Sequence, residues 1–322
     1  MKFFDVTKWE RKSVTTKGTR DKYVLIESST GDEYFVKYPL KRLGRDYSSE
    51  TWSEILAYEI GSYLGFNVLE YDFAMDKDKA GCISKSMITN EEEELIEGVS
   101  ILTAYDNTYA PEDKNTYDKY TFSFVKEAFK KDADLNKLFV DFLKILVFDA
   151  IIGNSDRHQS NWGFIKKIRL PKKNKFSKIF KYKKPKIKIK SAPIYDSGCC
   201  FGREFNENKI RNILDDDIQF ESYLRKGRAE LRIDENKNNK ISHYDLLKYI
   251  CEQNVTDGNI IKEEIRKVIK KYDRTVIEDI VRNIDISLDE NIRTRYGLSK
   301  IRKDFIIKVI DARINKLKEV LT

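Results

Sequence analysis

At 322 residues, 40% of them hydrophobic and only 5 of them Pro, the chain excludes a wholly disordered or collagen-like protein and is long enough for one large or two modest cores. Cys82, Cys199, Cys200 and Cys251 include no CxxC pair, and His158 and His243 lie far apart, which argues against a zinc site or a disulfide framework. The formal charge of +8 is local: residues 166–190 hold 13 Lys and Arg and no acid, leaving 48 basic against 53 acidic residues elsewhere.

The first residues, MKFFDVTKWERKS, interleave charges and offer no apolar h-region, and the most apolar stretch, 145–152, is short and contains Asp149. The expectation is no secretory signal, no transmembrane segment and a cytoplasmic protein, with export as an effector left open. Residues 23–27 and 33–38 are rich in aromatic and β-branched side chains around the turn composition of 28–32, which predicts a hairpin. Ser48 or Ser49 then caps a helix in which Trp52, Ile55, Leu56, Ile60, Tyr63 and Leu64 recur at helical spacing until Gly65. Strand-like runs follow at 67–74 and 81–88.

From Glu91 onward the pattern is mainly helical, with helices expected over 117–131 and 135–152, the second apolar nearly all round at its end and therefore buried. Thr256 or Asp257 starts another, Val276, Ile277, Ile280, Val281 and Ile284 mark the next, and Ile301, Phe305, Val309, Leu317 and Leu321 stripe the last. No fixed-period repeat is present, and the basic segment is the one low-complexity stretch.

The sharpest chemical feature, Gly153-Asn154-Ser155-Asp156-Arg157-His158-Gln159-Ser160-Asn161, directly follows the buried helix. In phosphoryl transfer a carboxylate orients the attacking hydroxyl and takes its proton, while a nearby amide oxygen holds magnesium; Asp156, with Asn161 five residues on, offers both from one loop. Asp196, in Ala192-Pro193-Ile194-Tyr195-Asp196-Ser197-Gly198, is a second acid able to complete a metal site. Lys37 on a predicted strand and Glu54, seventeen residues later on the helix, supply a lysine for nucleotide phosphates and a glutamate to hold it; Glu50, one turn earlier, competes for that role.

Strand Lys, helix Glu, loop Asp with Asn, then strand-end Asp is the linear order of a protein kinase. The DRHxxN loop, the APIYDSG segment and the runs VKYP and SEILAYEIGSYLGF resemble the HipA-like kinases, most closely their compact CtkA-like branch, over residues 18–202. The resemblance implies Asp156 as catalytic base, Asn161 and Asp196 as Mg2+ ligands, Lys37 on the ATP phosphates and Glu54 as its partner. It also implies that Gly18 to Lys22 belongs to a phosphate-covering loop, with Thr15, Thr16 and Thr19 as autophosphorylation candidates, and that toxin or effector behaviour is to be expected. His158 is either a group that orients substrate near the transferred phosphoryl or a structural hydrogen bonder. The fold expected is a two-lobed α+β kinase-like one: a small antiparallel-sheet N-lobe with one helix, residues 1–90, and a mainly helical C-lobe, residues 91–322.

Neither GxGxxG nor GxxxxGK[ST] occurs, so the phosphate cover differs from that of eukaryotic-type kinases and from a P-loop. The rivals to a Ser/Thr protein kinase acting on an unknown protein substrate are a phosphatidylinositol-type lipid kinase and a nucleotide-binding pseudokinase. Cys199 and Cys200 read as reduced packing residues. Residues 234–245 mimic a calcium loop but have Asn at its sixth position and Asp at its twelfth, which favours a polar turn before a helix. For the basic arm 166–190, docking of an acidic partner protein or plain solvation ranks ahead of nucleic acid, although Phe176, Phe180 and Tyr182 interleave its lysines.

Overall fold

The computed structural model describes residues 1–13, 22–40, 47–113, 116–169, 185–234 and 240–322. Gly18, Thr15, Thr16 and Thr19 lie outside these residues, as do Phe176, Phe180 and Tyr182. Two short strands, β1 (Phe3–Asp5) and β2 (Glu10–Lys12), precede the expected hairpin of β3 (Lys22–Ile26) and β4 (Glu33–Lys37), where Tyr23 pairs with Val36 and Lys22 with Lys37. Gly31, at φ +74°, supplies the left-handed residue of the turn.

Helix α1 (Glu50–Leu64) begins and ends where the apolar pattern predicts, but not by the predicted cap. Ser49 sits at the N-cap in a helical conformation without capping; its Oγ donates instead to the Arg203 carbonyl (3.2 Å). Gly65, at φ +98°, ends the helix. Ile55, Leu56 and Ile60 are fully buried, so truncating any one of them to Ala costs about 2–5 kcal/mol.

Strands β5 (Asp72–Asp76) and β6 (Lys79–Lys85) follow. The run expected as strand from residue 67 therefore starts late, because the backbone there is used otherwise: Leu69 N donates to Ile194 O (2.9 Å) and Ile194 N to Asn67 O (2.8 Å). These strands complete a six-stranded sheet, ordered β1-β5-β6-β4-β3-β2, with β1 parallel to β5 and the other pairs antiparallel. One face of this sheet meets α1; the other is closed by Val6, Leu25, Val36, Tyr38, Ala74 and Ile83 under Phe4, Trp9, Tyr23 and Tyr34.

The acidic stretch after residue 90, expected to be helical, instead forms β7 (Glu93–Glu97), and only then does α2 (Gly98–Tyr105) begin. The helix expected over 117–131 breaks into a 3-10 turn at Tyr117–Lys119 and α3 (Phe122–Lys130), because Thr121 Oγ1 accepts from Phe124 N (3.2 Å) and caps a new start. Helix α4 (Ala133–Ile152) is buried throughout its last turn and stops at Gly153, φ +69°.

Strands β8 (Gly163–Arg169) and β9 (Lys186–Ser191) pair with each other and with β7 in a second, three-stranded antiparallel sheet. The base of the basic arm is thus a ladder running to Arg169 and Lys186, and β7 answers part of its charge: Lys167 Nζ lies 3.3 Å from Glu93 and Arg169 Nε 3.6 Å from Glu92. The remaining regular elements of the described chain are helices: α5 (Glu207–Asp215), α6 (Asp217–Lys226), α7 (His243–Gln253), α8 (Val255–Lys271), α9 (Arg274–Arg282), α10 (Glu290–Tyr296) and α11 (Lys300–Lys318). Helix α8 is capped by Asn254, whose side chain accepts from Asp257 N, rather than by Thr256 or Asp257. In the calcium-loop mimic, Asp245 is engaged with Ser242 Oγ (2.7 Å) in capping α7.

One hydrophobic core runs from α1 through α4 to α11 and joins the two sheet regions. A smaller apolar cluster, Ile165, Ala192 and Tyr195 with Leu69, Met87, Ile88 and Leu95, lies between the sheets, next in sequence to Asp196. Among the described residues no helix is long and apolar enough to cross a membrane.

Candidate active site

Strand β4 ends at Lys37, opposite Lys22 on β3 and Cys82 on β6. Like charges directly across an antiparallel pair repel unless an anion lies between them. Here the anion is Asp196: Lys37 Nζ donates to its Oδ1 (3.0 Å), and Lys22 Nζ stands 3.6 Å from its Oδ2. Lys37 Nζ also donates to Glu54 Oε1 (2.9 Å) and to the Tyr71 hydroxyl (3.3 Å). Burial works against the Lys37 charge, but Asp196 and Glu54 outweigh it and hold its pKa well above the ordinary lysine value, so it stays an ammonium.

Glu54 is buried on α1 and uses its second oxygen, Oε2, to accept from Ser197 N (2.8 Å), tying the helix to the segment that carries Asp196. Glu50, the rival for the lysine, is spoken for by Arg203 Nη1 at 2.8 Å and by Leu40 N at 3.2 Å. Asp196 itself holds φ +56°, a left-handed conformation that a non-glycine residue keeps only where its surroundings over-determine it. Those surroundings are Lys37, Lys22 and the Tyr71 hydroxyl, which accepts from Asp196 N at 3.5 Å.

The loop after α4 is organised by Arg157, 3% exposed. Its Nε and Nη2 grip Asp149 Oδ2 and Oδ1 (2.9 Å each), Nη2 also donates to Ser197 Oγ (3.0 Å), and Nη1 donates to the carbonyls of Asn161 (2.7 Å) and Tyr195. One guanidinium therefore joins the end of α4, the Asp156 loop and the Asp196 segment. Asn161 Nδ2 donates to the Asp156 carbonyl (2.8 Å), which leaves its amide oxygen as the atom it can offer to a metal. The Asp156 carboxylate receives Cys199 Sγ at 3.2 Å from Oδ2. His158 is used locally: its Nδ1 accepts from Ser160 N (3.2 Å) and its carbonyl from Asn161 N (2.9 Å), so the structure shows it shaping the turn.

Lys37, Glu54, Lys22 and Asp196 are thus brought into one cluster, and Arg157 joins the Asp156–Asn161 loop to it. Gly18 lies outside the described residues. Sequence reasoning missed Arg157, Asp149, Tyr71 and Cys199 as parts of the site. A signal existed for Asp149, a lone acid in the otherwise apolar end of a helix, where only a buried cation could satisfy it.

Asp196 and Asn161 offer the hard oxygen donors that magnesium prefers, and among the described residues no group of three or more His, Cys, Asp or Glu could hold a metal. That donor set fits an ion completed by phosphate and water oxygens rather than an all-protein cage.

No family model matches the chain. It is 24% identical over 291 residues to the serine/threonine-protein kinase CtkA of Helicobacter pylori, covering 89% of this chain and 78% of that protein. The crystal structure of the Helicobacter pylori proinflammatory kinase CtkA superposes with a TM-score of 0.74 at 21% identity, covering 99% of this chain and 97% of that one. HipA of Shewanella oneidensis MR-1, solved with HipB and its operator DNA, gives a TM-score of 0.55 at 12% identity, covering 96% of this chain and 67% of that one. The chain therefore shares its fold with these two solved kinase-family structures and is similar over most of its length to a serine/threonine-protein kinase.

Proposed function

We propose that the chain is a HipA-like, CtkA-like kinase that transfers the γ-phosphoryl group of ATP to Ser or Thr hydroxyls of a protein substrate in a magnesium-dependent reaction, and that it phosphorylates itself. The observation that carries the reading is the Lys37 ammonium, held at once by Glu54 on α1 and by Asp196 in the segment after β9. Such a lysine is placed to neutralise phosphate oxygens and is kept from swinging away.

In this reading Lys37 and Lys22 contact the phosphates, and the apolar cluster around Tyr195, Met87 and Leu95 takes the adenine. Asp196 and the Asn161 amide oxygen hold magnesium, whose chemistry is to neutralise charge on the transferred group. Asp156 aligns the acceptor hydroxyl and takes its proton. Its loop keeps position because Arg157 holds the Asn161 and Tyr195 carbonyls on one nitrogen. The Ser/Thr acceptor follows the name of the Helicobacter pylori relative. Thr15, Thr16 and Thr19 are the self-acceptors proposed. The basic arm is proposed as a docking strip for an acidic protein, with nucleic acid as the alternative occupant.

The test is incorporation of labelled γ-phosphate from Mg-ATP into the purified protein and into a generic basic protein, with phosphosite mapping. The expected result is Ser or Thr labelling that falls by about 10²–10⁴-fold in Asp156→Asn while ATP binding persists. ATP binding without labelling of either protein, or labelling of phosphoinositide alone, overturns the reading.

A further inference from the structure

Beneath the Asp156 loop the fold buries a cation that no carboxylate answers. Arg313, on α11, is 1% exposed, and among the described residues the groups that stabilise its charge are the tyrosines Tyr244 and Tyr223 rather than a carboxylate. Its partners are all neutral: Nη1 donates to the Ala150 carbonyl at 3.4 Å, the Tyr223 and Tyr244 hydroxyls are side-chain hydrogen-bond partners, its cation stands 5.8 Å from the Tyr223 ring centroid, and its Nε has no hydrogen-bond partner. The room for it comes from two glycines. A Cβ on Gly153 would lie 2.3 Å from the guanidinium carbon, and one on Gly227 2.9 Å from Nη2.

Arg313 lines a cavity of about 220 Å³ whose other lining groups include Ser155, Cys199, Ser222, Lys209 and Lys226. Three cations line this cavity against a single acid, Glu204. The imbalance is felt next door: His243 is held near a pKa of about 3 by burial and then by the Arg313 charge. Burying an unanswered charge is costly, so a site of this kind is stabilised when an anion enters it. The volume is below the range of pockets that take whole cofactors and suits a carboxylate or phosphate group.

We propose that this cavity binds an anionic side chain, carboxylate-bearing or phosphorylated, of the polypeptide segment that presents its hydroxyl to Asp156. The occupant is argued from the shared wall: Ser155 is next to Asp156 in sequence, and Cys199, which lines the cavity, places its Sγ 3.2 Å from Asp156 Oδ2. Successive residues of an extended chain advance by about 3.3–3.6 Å, so a segment with its hydroxyl at Asp156 has its near neighbours over the cavity mouth. A guanidinium floor and an ammonium rim are the groups that grip carboxylates and phosphates by charge-assisted hydrogen bonds. The inference deepens the kinase reading and rests on it for the identity of the segment.

The experiment measures binding apart from transfer. Fluorescein-labelled serine peptides carrying Glu, phosphoserine or Gln at each of the three positions on either side of the serine are titrated with the full chain by fluorescence anisotropy. Expected is at least one position at which Glu and phosphoserine bind about tenfold more tightly than Gln. Arg313→Met removes that preference, and Lys209→Glu/Lys226→Glu, confined to exposed positions, weakens it and decides the matter if Arg313→Met does not fold. Inorganic phosphate is expected to compete with both anionic peptides. Equal binding of Glu, phosphoserine and Gln peptides at every position, absence of binding, or a preference that survives both variants overturns the proposal, as does saturation by phosphate with no effect on the peptides. Anionic-peptide binding with no γ-phosphate transfer defeats the kinase reading instead and leaves the cavity assigned.

Discussion

Converting Asp149 to Asn removes the single negative charge that answers Arg157 while changing almost no volume. The two side chains are only 3% and 2% exposed, so the guanidinium cannot turn to water. Its remaining partners, the Asn161 and Tyr195 carbonyls and Ser197 Oγ, are neutral. Breaking a buried pair by deleting one partner costs about 3–5 kcal/mol. With an unfolding entropy of about 2.1 cal/mol/K per residue, a chain of 322 residues loses about 4–7 °C of melting temperature for that cost. Differential scanning fluorimetry of Asp149→Asn beside Asp149→Leu/Arg157→Leu is the assay. The double variant, which buries no unanswered charge, is expected to melt above the single one. If Asp149→Asn melts within about 1 °C of wild type, Arg157 is not the buried linchpin of the loop and the reasoning fails.

Glu54→Gln leaves Asp196 as the one carboxylate bonded to Lys37; γ-phosphate transfer is expected to fall by about 10–100-fold, and unchanged single-turnover rates would remove Glu54 from the positioning role. Acid should weaken the fold through His243, whose folded-state pKa of about 3 lies below its ordinary 6.5. The unfolded chain takes up this proton first, so the contribution is complete above pH 6.5 and is lost by up to about 1.4 kcal/mol per pH unit as pH falls toward 3. Urea denaturation of wild type and His243→Gln between pH 7 and pH 4 checks this, and parallel stability profiles would contradict it.

The parts of the site visible in the sequence are those whose spacing is local or whose element is strongly patterned. Lys37 sits at the end of an aromatic, β-branched strand and Glu54 on a helix with a clear apolar stripe, so their meeting could be read from two elements. The choice of Glu54 over Glu50 rested on the family resemblance; its physical reason, Arg203 holding Glu50 from more than a hundred residues away, exists only in the folded chain. Arg157 and Asp149 were hidden for the same reason: the guanidinium's acceptors at Tyr195 and Ser197 are close only once the chain has folded back. Strand β7 was misread because Glu-Glu-Leu-Ile-Glu carries helical propensity, and what makes it a strand is pairing with the lysines of β8. The three-residue β1 is held by parallel pairing with β5, a long-range contact with no local signature. Arg313 looked like any arginine on an amphipathic helix until Gly153 and Gly227 were seen to make room for it.

Helix α1 and the turn between β5 and β6 are also tied directly to the C-terminal part of the chain, apart from the Glu54 contact. Trp52 Nε1 donates to the Tyr296 carbonyl (2.8 Å), the Tyr63 hydroxyl to the Lys271 carbonyl (2.7 Å), and the Tyr296 hydroxyl to the Asp78 carbonyl (2.8 Å). Many protein kinases are switched by moving the helix that carries this glutamate. Here such a swing would have to tear the N-terminal sheet region from the C-terminal helices, so the Lys37–Glu54 pair behaves as a fixed part of the frame. A switch acting on the loops that cover the phosphates or the acceptor would meet no such resistance.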